Sequence, residues 1–193
     1  QLDAQVLKQG SVLPQRVLNP RISEDNGSQV LMQPTVWTTT TRKHISDYLM
    51  QEKLDGMRAY YVPGKGFFAR SGKPISVPAN WIEELNKANI RYSLDGELWM
   101  GRNKFEELQT AIKSNNWKDV KFVAFDVIDF EMILEERLKV LNSIAFPSDF
   151  VQVLEAKPCK RIQFVKAFLN NITREGGEGI ILRRLGSLYT PGR

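Results

Sequence analysis

Cysteine and histidine are nearly missing from this chain, whose 193 residues include one of each, Cys159 and His44. A lone cysteine excludes an internal disulfide framework and a cysteine-built zinc site, leaving Cys159 as a packed or surface thiol. A lone histidine has no second imidazole with which to build a metal site, so His44 reads as a surface or packing residue. No apolar run is long enough to cross a bilayer as a helix. The N-terminus lacks the hydrophobic core of a secretion signal. Internal repeats and low-complexity tracts are absent as well. The chain opens on Gln1 instead of Met. The expectation is a trimmed polypeptide whose address, if it carried one, went with the lost residues.

What is present is ample apolar material and a mild positive charge. Hydrophobic residues make up 42%, with four Trp and ten Phe, enough for one large domain or for one domain with an extra arm. Lys and Arg number 27 against 22 Asp and Glu, a net charge of +5. That balance is compatible with a polyanionic partner without requiring one.

Residues 1–29 are polar and poorly periodic, with Gly10, Pro14, Pro20 and the cluster Glu24-Asp25-Asn26-Gly27-Ser28, and read as an arm or extension. From Val30 onward short apolar runs alternate with Gly/Pro turns. Tyr48-Leu49-Met50 leads as a strand into Lys53. Ala59–Val62 and Gly66–Ala69 flank Pro63-Gly64 as a hairpin. Ala79–Ala88 carries Trp81, Ile82, Leu85 and Ala88 at helical spacing. Asn103-Lys104-Phe105-Glu106 has capping-box spacing ahead of the apolar stripe Phe105, Leu108, Ala111 and Ile112. Lys121–Ile128 predicts a buried strand. Ile133–Ile144 and Ile162–Thr173 predict amphipathic helices, the second stopped by Gly176-Gly177, and Glu178–Leu185 a final strand. Strands outnumbering helices in mixed order predict an α+β domain on antiparallel sheets.

Five short segments carry chemistry. Lys53-Leu54-Asp55-Gly56-Met57-Arg58 sets a lysine beside an acid, a turn-forming glycine and a second cation. A lysine with a pKa of about 10.4 is almost wholly protonated at neutral pH. A neighbouring cation, a metal or desolvation is needed to free its amine for attack. Arg70-Ser71-Gly72-Lys73 places two cations around a turn, and Asp95-Gly96-Glu97 sets two acids about what reads as another glycine turn. Phe125-Asp126 ends a strand with a ring and an acid. Gly176-Gly177-Glu178-Gly179 leads into a strand bearing Arg183. Any one of these alone is an ordinary turn or core feature.

In order, the segments Lys53–Arg58, Arg70–Gly72, Asp95–Glu97, Phe125–Asp126 and Glu178–Arg183 resemble motifs I, Ia, III, IIIa and IV of one superfamily. It is the nucleotidyltransferase superfamily of ATP-dependent DNA ligases, RNA ligases and mRNA capping enzymes. Ser46–Tyr60, Leu94–Arg102 and Gly176–Gly179 are similar to the minimal bacterial ATP-dependent DNA ligases of the Lig E type. The resemblance covers roughly 30–193. It implies a ligase-type, ATP-grasp-like nucleotidyltransferase domain with two antiparallel sheets flanked by helices.

By that resemblance Lys53 takes AMP from ATP as lysyl-AMP and passes it to the 5′-phosphate of nicked duplex DNA, whose 3′-OH then displaces it. Asp55 orients Lys53. Arg58 and Arg70 hold phosphates, where a guanidinium fork suits the oxygens. Glu97 and Glu178 are the Mg²⁺ (or Mn²⁺) acids, the former also near the ribose. Phe125 stacks on adenine with Ile181 on its other face, Gln51 touches the adenine edge, and Arg183 completes the nucleotide site. Lys-x-Asp-Gly-x-Arg together with Glu-Gly-x-x-x-Arg looks like DNA ligase. An enzyme of RNA ends or caps and a catalytically silent ligase-like module stay open as alternatives. The resemblance further implies a monomer free of membrane, intracellular residence (nucleus, organelle or nucleoid) and, from the Lig E likeness, the periplasm as another address. Lys118, Lys121, Lys157, Lys160 and Arg161 read as solvated faces that also suit DNA phosphates. Tyr189-Thr190-Pro191-Gly192-Arg193 is similar to the run that leads into motif V and an OB-fold domain. Residues 30–193 are therefore expected to be an incomplete adenylation domain, severely impaired by themselves.

Overall fold

Two sheets divide the apolar residues of this chain between them. The computed structural model describes residues 31–35, 44–146 and 148–192, and the arm expected over 1–29 lies outside them. A three-stranded antiparallel sheet is built from β1 (Tyr48–Lys53) between β8 (Lys157–Pro158) and β9 (Gly179–Arg184). A six-stranded sheet runs in the order β4 (Pro74–Ile75), β3 (Gly66–Ala69), β2 (Met57–Val62), β5 (Ser93–Trp99), β6 (Lys121–Ile128) and β7 (Val151–Val153). Three helices, α1 (Ala79–Lys87), α2 (Phe105–Lys113) and α3 (Leu134–Ser143), pack on the larger sheet, and α4 (Ile162–Arg174) packs on the smaller.

The strand periodicity decides which side of each sheet is buried. On the larger sheet Ala59, Tyr61, Phe67, Leu94, Leu98 and Phe122 meet Trp81 and Leu85 of α1, Leu108 of α2, and Leu134, Leu138 and Leu141 of α3. Trp81 stacks on Phe150 at 4.4 Å between centroids. The opposite side of β2 carries Tyr60 and Val62, which pack with Leu31, Ile128 and Tyr189. On the smaller sheet Met50, Ile180 and Leu182 cover Val165 and Phe168 of α4, with Cys159 beside them. Cys159 is buried, and that burial pushes its thiol up to about 11, the behaviour of a packed rather than reactive sulfur. His44 lies on the surface. Among the described residues no helix is long and apolar enough to cross a membrane.

Three expectations change. The larger sheet is mixed, because β7 joins β6 in parallel after α3 carries the chain back across the sheet. Asp95-Gly96-Glu97 is the middle of the central strand β5, not a turn. Its glycine answers crowding: a Cβ at Gly96 would stand 2.6 Å from the Val123 carbonyl oxygen and 2.7 Å from the Phe122 ring. Asn103 does not cap α2, whose N-cap is Lys104 with no side-chain cap. Asn103 is instead a left-handed residue (φ 57°) in the tight loop before the helix. The reciprocal carboxylate contact expected there occurs at α3, where the Ile133 N–H donates to Glu136 at 3.2 Å.

Candidate active site

Lys53 is the last residue of β1, and the chain leaves it through Leu54-Asp55-Gly56 to enter the other sheet at Met57. Asp55-Gly56 is thus a crossover between sheets and not a hairpin turn. Gly56 is required by close approach, since a Cβ there would sit 2.4 Å from the Leu98 carbonyl oxygen and 2.7 Å from Glu97 Cγ. This squeeze brings the nucleophile candidate of one sheet beside the acid of the other.

Register places the remaining groups. Directly opposed residues of an antiparallel pair point to the same side. Gln51 faces Ile181, Lys53 faces Gly179 and Leu49 faces Arg183 across β1 and β9. The side opposite Met50 and Leu182 therefore carries Lys53, Gln51, Ile181 and Arg183. On the larger sheet Arg58 lies opposite Glu97 and Tyr60 opposite Asp95.

A β-bulge presents the ring. Asp95 pairs with Asp126 and Gly96 with Ala124, so Phe125 is the extra residue of β6. A bulge re-aims a side chain and frees its backbone from the ladder. Phe125 stays half-buried beneath the Arg58 guanidinium, 4.7 Å from its ring centroid. Its freed carbonyl accepts from Arg183 Nη1 at 2.9 Å.

Lys53 Nζ forms an ion pair with Glu178, both side chains partly open to water. Glu97 sits deeper. Burial pushes its carboxyl up to about 7; Arg58 opposes that shift, Asp95 adds to it, and Lys53 and the Gly56 amide oppose it further. Asp55 and Arg70 are exposed, Arg70 in the turn between β3 and β4. Ile181 is half-buried on the Lys53 side of β9.

Three predicted residues are committed to protein partners. Arg58 Nε and Nη2 donate to the two oxygens of Asp95 at 2.7 and 2.6 Å, and Nη2 also reaches the Met32 carbonyl at 3.1 Å. The arginine expected to hold phosphate is thus first a fixed cation beneath which Phe125 lies. Gln51 is 3% exposed, donates to the Leu154 carbonyl at 3.3 Å and accepts from Arg183 Nη1 at 3.2 Å. Arg183 is buried as well and pairs with Asp126 of the other sheet. It is a brace between the sheets that holds Gln51 and Phe125 by their oxygens.

Four residues outside the predicted set complete the arrangement. Asp95 holds Arg58 and accepts the Tyr189 hydroxyl at 2.6 Å. Burial, with Asp95 adding, raises the Tyr189 phenol well above its usual range, so it remains a donor. Asp126 lies between Arg183 and Arg137, the latter donating through Nε at 2.9 Å. Asp95 and Asp126 stand inside the recognised segments, but only their burial reveals them as hubs. Tyr189 stands in the run similar to the lead into motif V, but its partner Asp95 lies 94 residues away, and nothing in the local pattern marks Arg137.

The donor set near Lys53 is hard oxygen, from Glu97 and Glu178. Among the described residues no three Asp, Glu, His or Cys side chains converge on one point. Two carboxylates nonetheless fit Mg²⁺, which keeps several waters and takes one or two protein oxygens.

Comparison with known proteins gives the family and the fold. The ATP dependent DNA ligase domain matches residues 30–193. The DNA ligase of Haemophilus influenzae is 34% identical over 156 residues, covering 78% of this chain, and the chain spans 56% of that ligase's length. A solved Lig E DNA ligase superposes with a TM-score of 0.74 at 27% identity, over 84% of this chain and 64% of that one. The Chlorella virus DNA ligase-adenylate superposes at 0.66 with 18% identity, over 84% and 61%, a likeness of fold alone. Matched over its whole described length, the chain belongs to the ATP-dependent DNA ligase domain family.

Proposed function

We propose that this chain is the AMP-accepting part of a DNA ligase that seals nicked duplex DNA. The observation that carries the reading is Lys53 Nζ held against Glu178 at the seam of two sheets, with Glu97 of the larger sheet against the Gly56 crossover that follows Lys53. Once Nζ has given its proton to solvent, its lone pair forms a P–N bond to the α-phosphorus of ATP. The bond from that phosphorus to the bridging oxygen breaks, and pyrophosphate leaves with the electron pair. Charge grows on phosphate oxygens, so fixed cations contribute more here than an acid–base relay.

Glu97 and Glu178 would hold Mg²⁺ (or Mn²⁺), which supplies charge to those oxygens when bound. Asp55, exposed two residues beyond Lys53, orients the amine. Arg70 meets phosphate from its exposed turn. Phe125 and Ile181 offer the two apolar surfaces between which adenine lies, and Gln51 and Arg183 fix the floor beneath it. AMP then moves to the 5′-phosphate of the nick, and the 3′-OH displaces it.

The test is intact mass of the full-length protein after incubation with ATP and Mg²⁺. One added AMP is expected, absent in Lys53→Ala, followed by sealing of nicked DNA. A folded full-length protein that gains no AMP would sink this reading. Charging by GTP in place of ATP would move it to a capping enzyme, and sealing of nicked RNA in preference to DNA to an RNA ligase.

A further inference from the structure

Behind the Lys53 side of the smaller sheet, a loop from the larger sheet reaches across to both segments that present the reacting groups. This loop, 100–104, joins β5 to α2 and turns sharply through Gly101 (φ 112°) and Asn103 (φ 57°). The turn delivers Arg102 to β1, where Nε and Nη2 donate to Oε1 and Oε2 of Glu52 at 2.7 and 2.9 Å. Its remaining terminal nitrogen, Nη1, donates to Glu175 at 2.5 Å. Glu52 immediately precedes Lys53, and Glu175 precedes Gly176-Gly177-Glu178.

The same three segments interlock through glycines. A Cβ at Gly176, whose φ is 83°, would meet Asn103 Nδ2 at 2.2 Å. A Cβ at Gly177 would meet Ile172 Cγ2 at 2.4 Å and Glu52 Oε1 at 3.0 Å. The glycines before Glu178 therefore let its turn close down on the Arg102 loop and on Glu52 together.

We propose that Arg102 is a positioning residue for lysine adenylylation: its fork sets Lys53 and Glu178 relative to each other by holding Glu52 and Glu175 from one guanidinium. The proposal rests on the reading of Lys53 as the nucleophile. A planar fork with five donors can satisfy both glutamates at once, whereas an ammonium on a flexible stem cannot keep that geometry. Arg102 touches neither Lys53 nor Glu178, so its effect is on placement. Placement errors of an ångström at a reacting centre can cost about a hundredfold in rate.

The experiment is single-turnover AMP transfer to the full-length protein with ATP and Mg²⁺, read by intact mass, alongside ATP affinity and thermal unfolding. Arg102→Lys should slow adduct formation by roughly a hundredfold while leaving ATP affinity nearly intact, the split expected when placement and not binding is lost. Arg102→Gly should recover part of its rate on addition of guanidinium ion and none on addition of methylammonium. Glu175→Gln, which removes charge from one exposed partner only, should fold normally and slow the reaction in the same sense. The proposal is overturned if Arg102→Lys charges at the wild-type rate, or if its loss lies in ATP affinity. It is equally overturned if the loss follows the unfolded fraction while Glu175→Gln charges normally. A wild-type protein that gains no AMP overturns the nucleophile reading itself, and this proposal with it.

Discussion

Asp95 grips Arg58 by both carboxylate oxygens, at 2.7 and 2.6 Å, from the neighbouring strand of the larger sheet. Burial works against the Arg58 charge, and the Asp95 carboxylate outweighs it, so the guanidinium is held above its usual pKa. The cation beside Phe125 is therefore permanent, and its direction is fixed before any nucleotide arrives. Removing one partner of a buried pair leaves the other uncompensated. Asp95→Asn should cost about 3 kcal/mol, the low end of that range because Arg58 keeps some contact with water. Urea unfolding measures it, and adduct formation should fall in the same variant.

Glu97 gives a pH signature. Its folded carboxyl stands at about 7 against an ordinary 4.5, so between those values the folded protein binds more protons than the unfolded chain. Stability of the metal-free protein should therefore fall as pH rises from about 4.5 to about 7, by up to roughly 3 kcal/mol. Glu97→Gln should flatten that slope in unfolding measured with a chelator present. Saturating Mg²⁺ should flatten it in the wild type, because a cation favours the ionised carboxylate.

Arg183 separates a brace from a ligand. It reaches Asp126, the Phe125 carbonyl and Gln51 together. Arg183→Lys should lose about 1–3 kcal/mol of stability, since one ammonium keeps the charge beside Asp126 but cannot serve three partners and leaves a buried acceptor without its donor. A thermal melt that does not move, coupled to a large loss of ATP affinity, would assign Arg183 to direct nucleotide contact instead.

Gly96 tests the central strand. Gly96→Ala would press a methyl into the Val123 carbonyl and the Phe122 ring. Overpacking of this kind costs typically 1–3 kcal/mol, and here it falls next to the bulge that presents Phe125. The variant should unfold earlier and charge more slowly.

Much of this was legible in the sequence. The apolar run Lys121–Ile128 is a strand with those bounds, and the spacing of Trp81, Ile82 and Leu85 gives α1 to within a residue. Lys53, Glu97, Phe125, Glu178 and Ile181 were singled out by the order of their segments and the family likeness it carries, since each segment alone is an ordinary turn or core feature. The misreadings share a cause: a local pattern stands for several geometries, and distant contacts choose among them. Asp95-Gly96-Glu97 reads as a turn until Phe122 is known to fill the space beside its glycine. Asn103 reads as a cap until the loop is seen turning to deliver Arg102. The roles of Arg58, Gln51 and Arg183 as struts depend on Asp95, Leu154 and Asp126, partners with no fixed offset from them. The parallel β6–β7 pair depends on where α3 returns the chain.

The β1–β9 ladder has a consequence for how the chain comes to fold. Its contacts join residues 125 apart at Lys53 and Glu178 and 132 apart at Gln51 and Arg183. The hairpin of β2 and β3, by contrast, closes across a three-residue gap. Pairings of such different separation meet very different loop-closure costs, and the distant one forms late. During synthesis the larger sheet can assemble through β6 while Lys53 still hangs on an unpaired strand edge. The lysine gains its acid only when the chain 125 residues further on has left the ribosome. A chain cut short before β9 would thus carry every residue of the Lys53 segment without the strand that pairs with it or the acid that meets its amine.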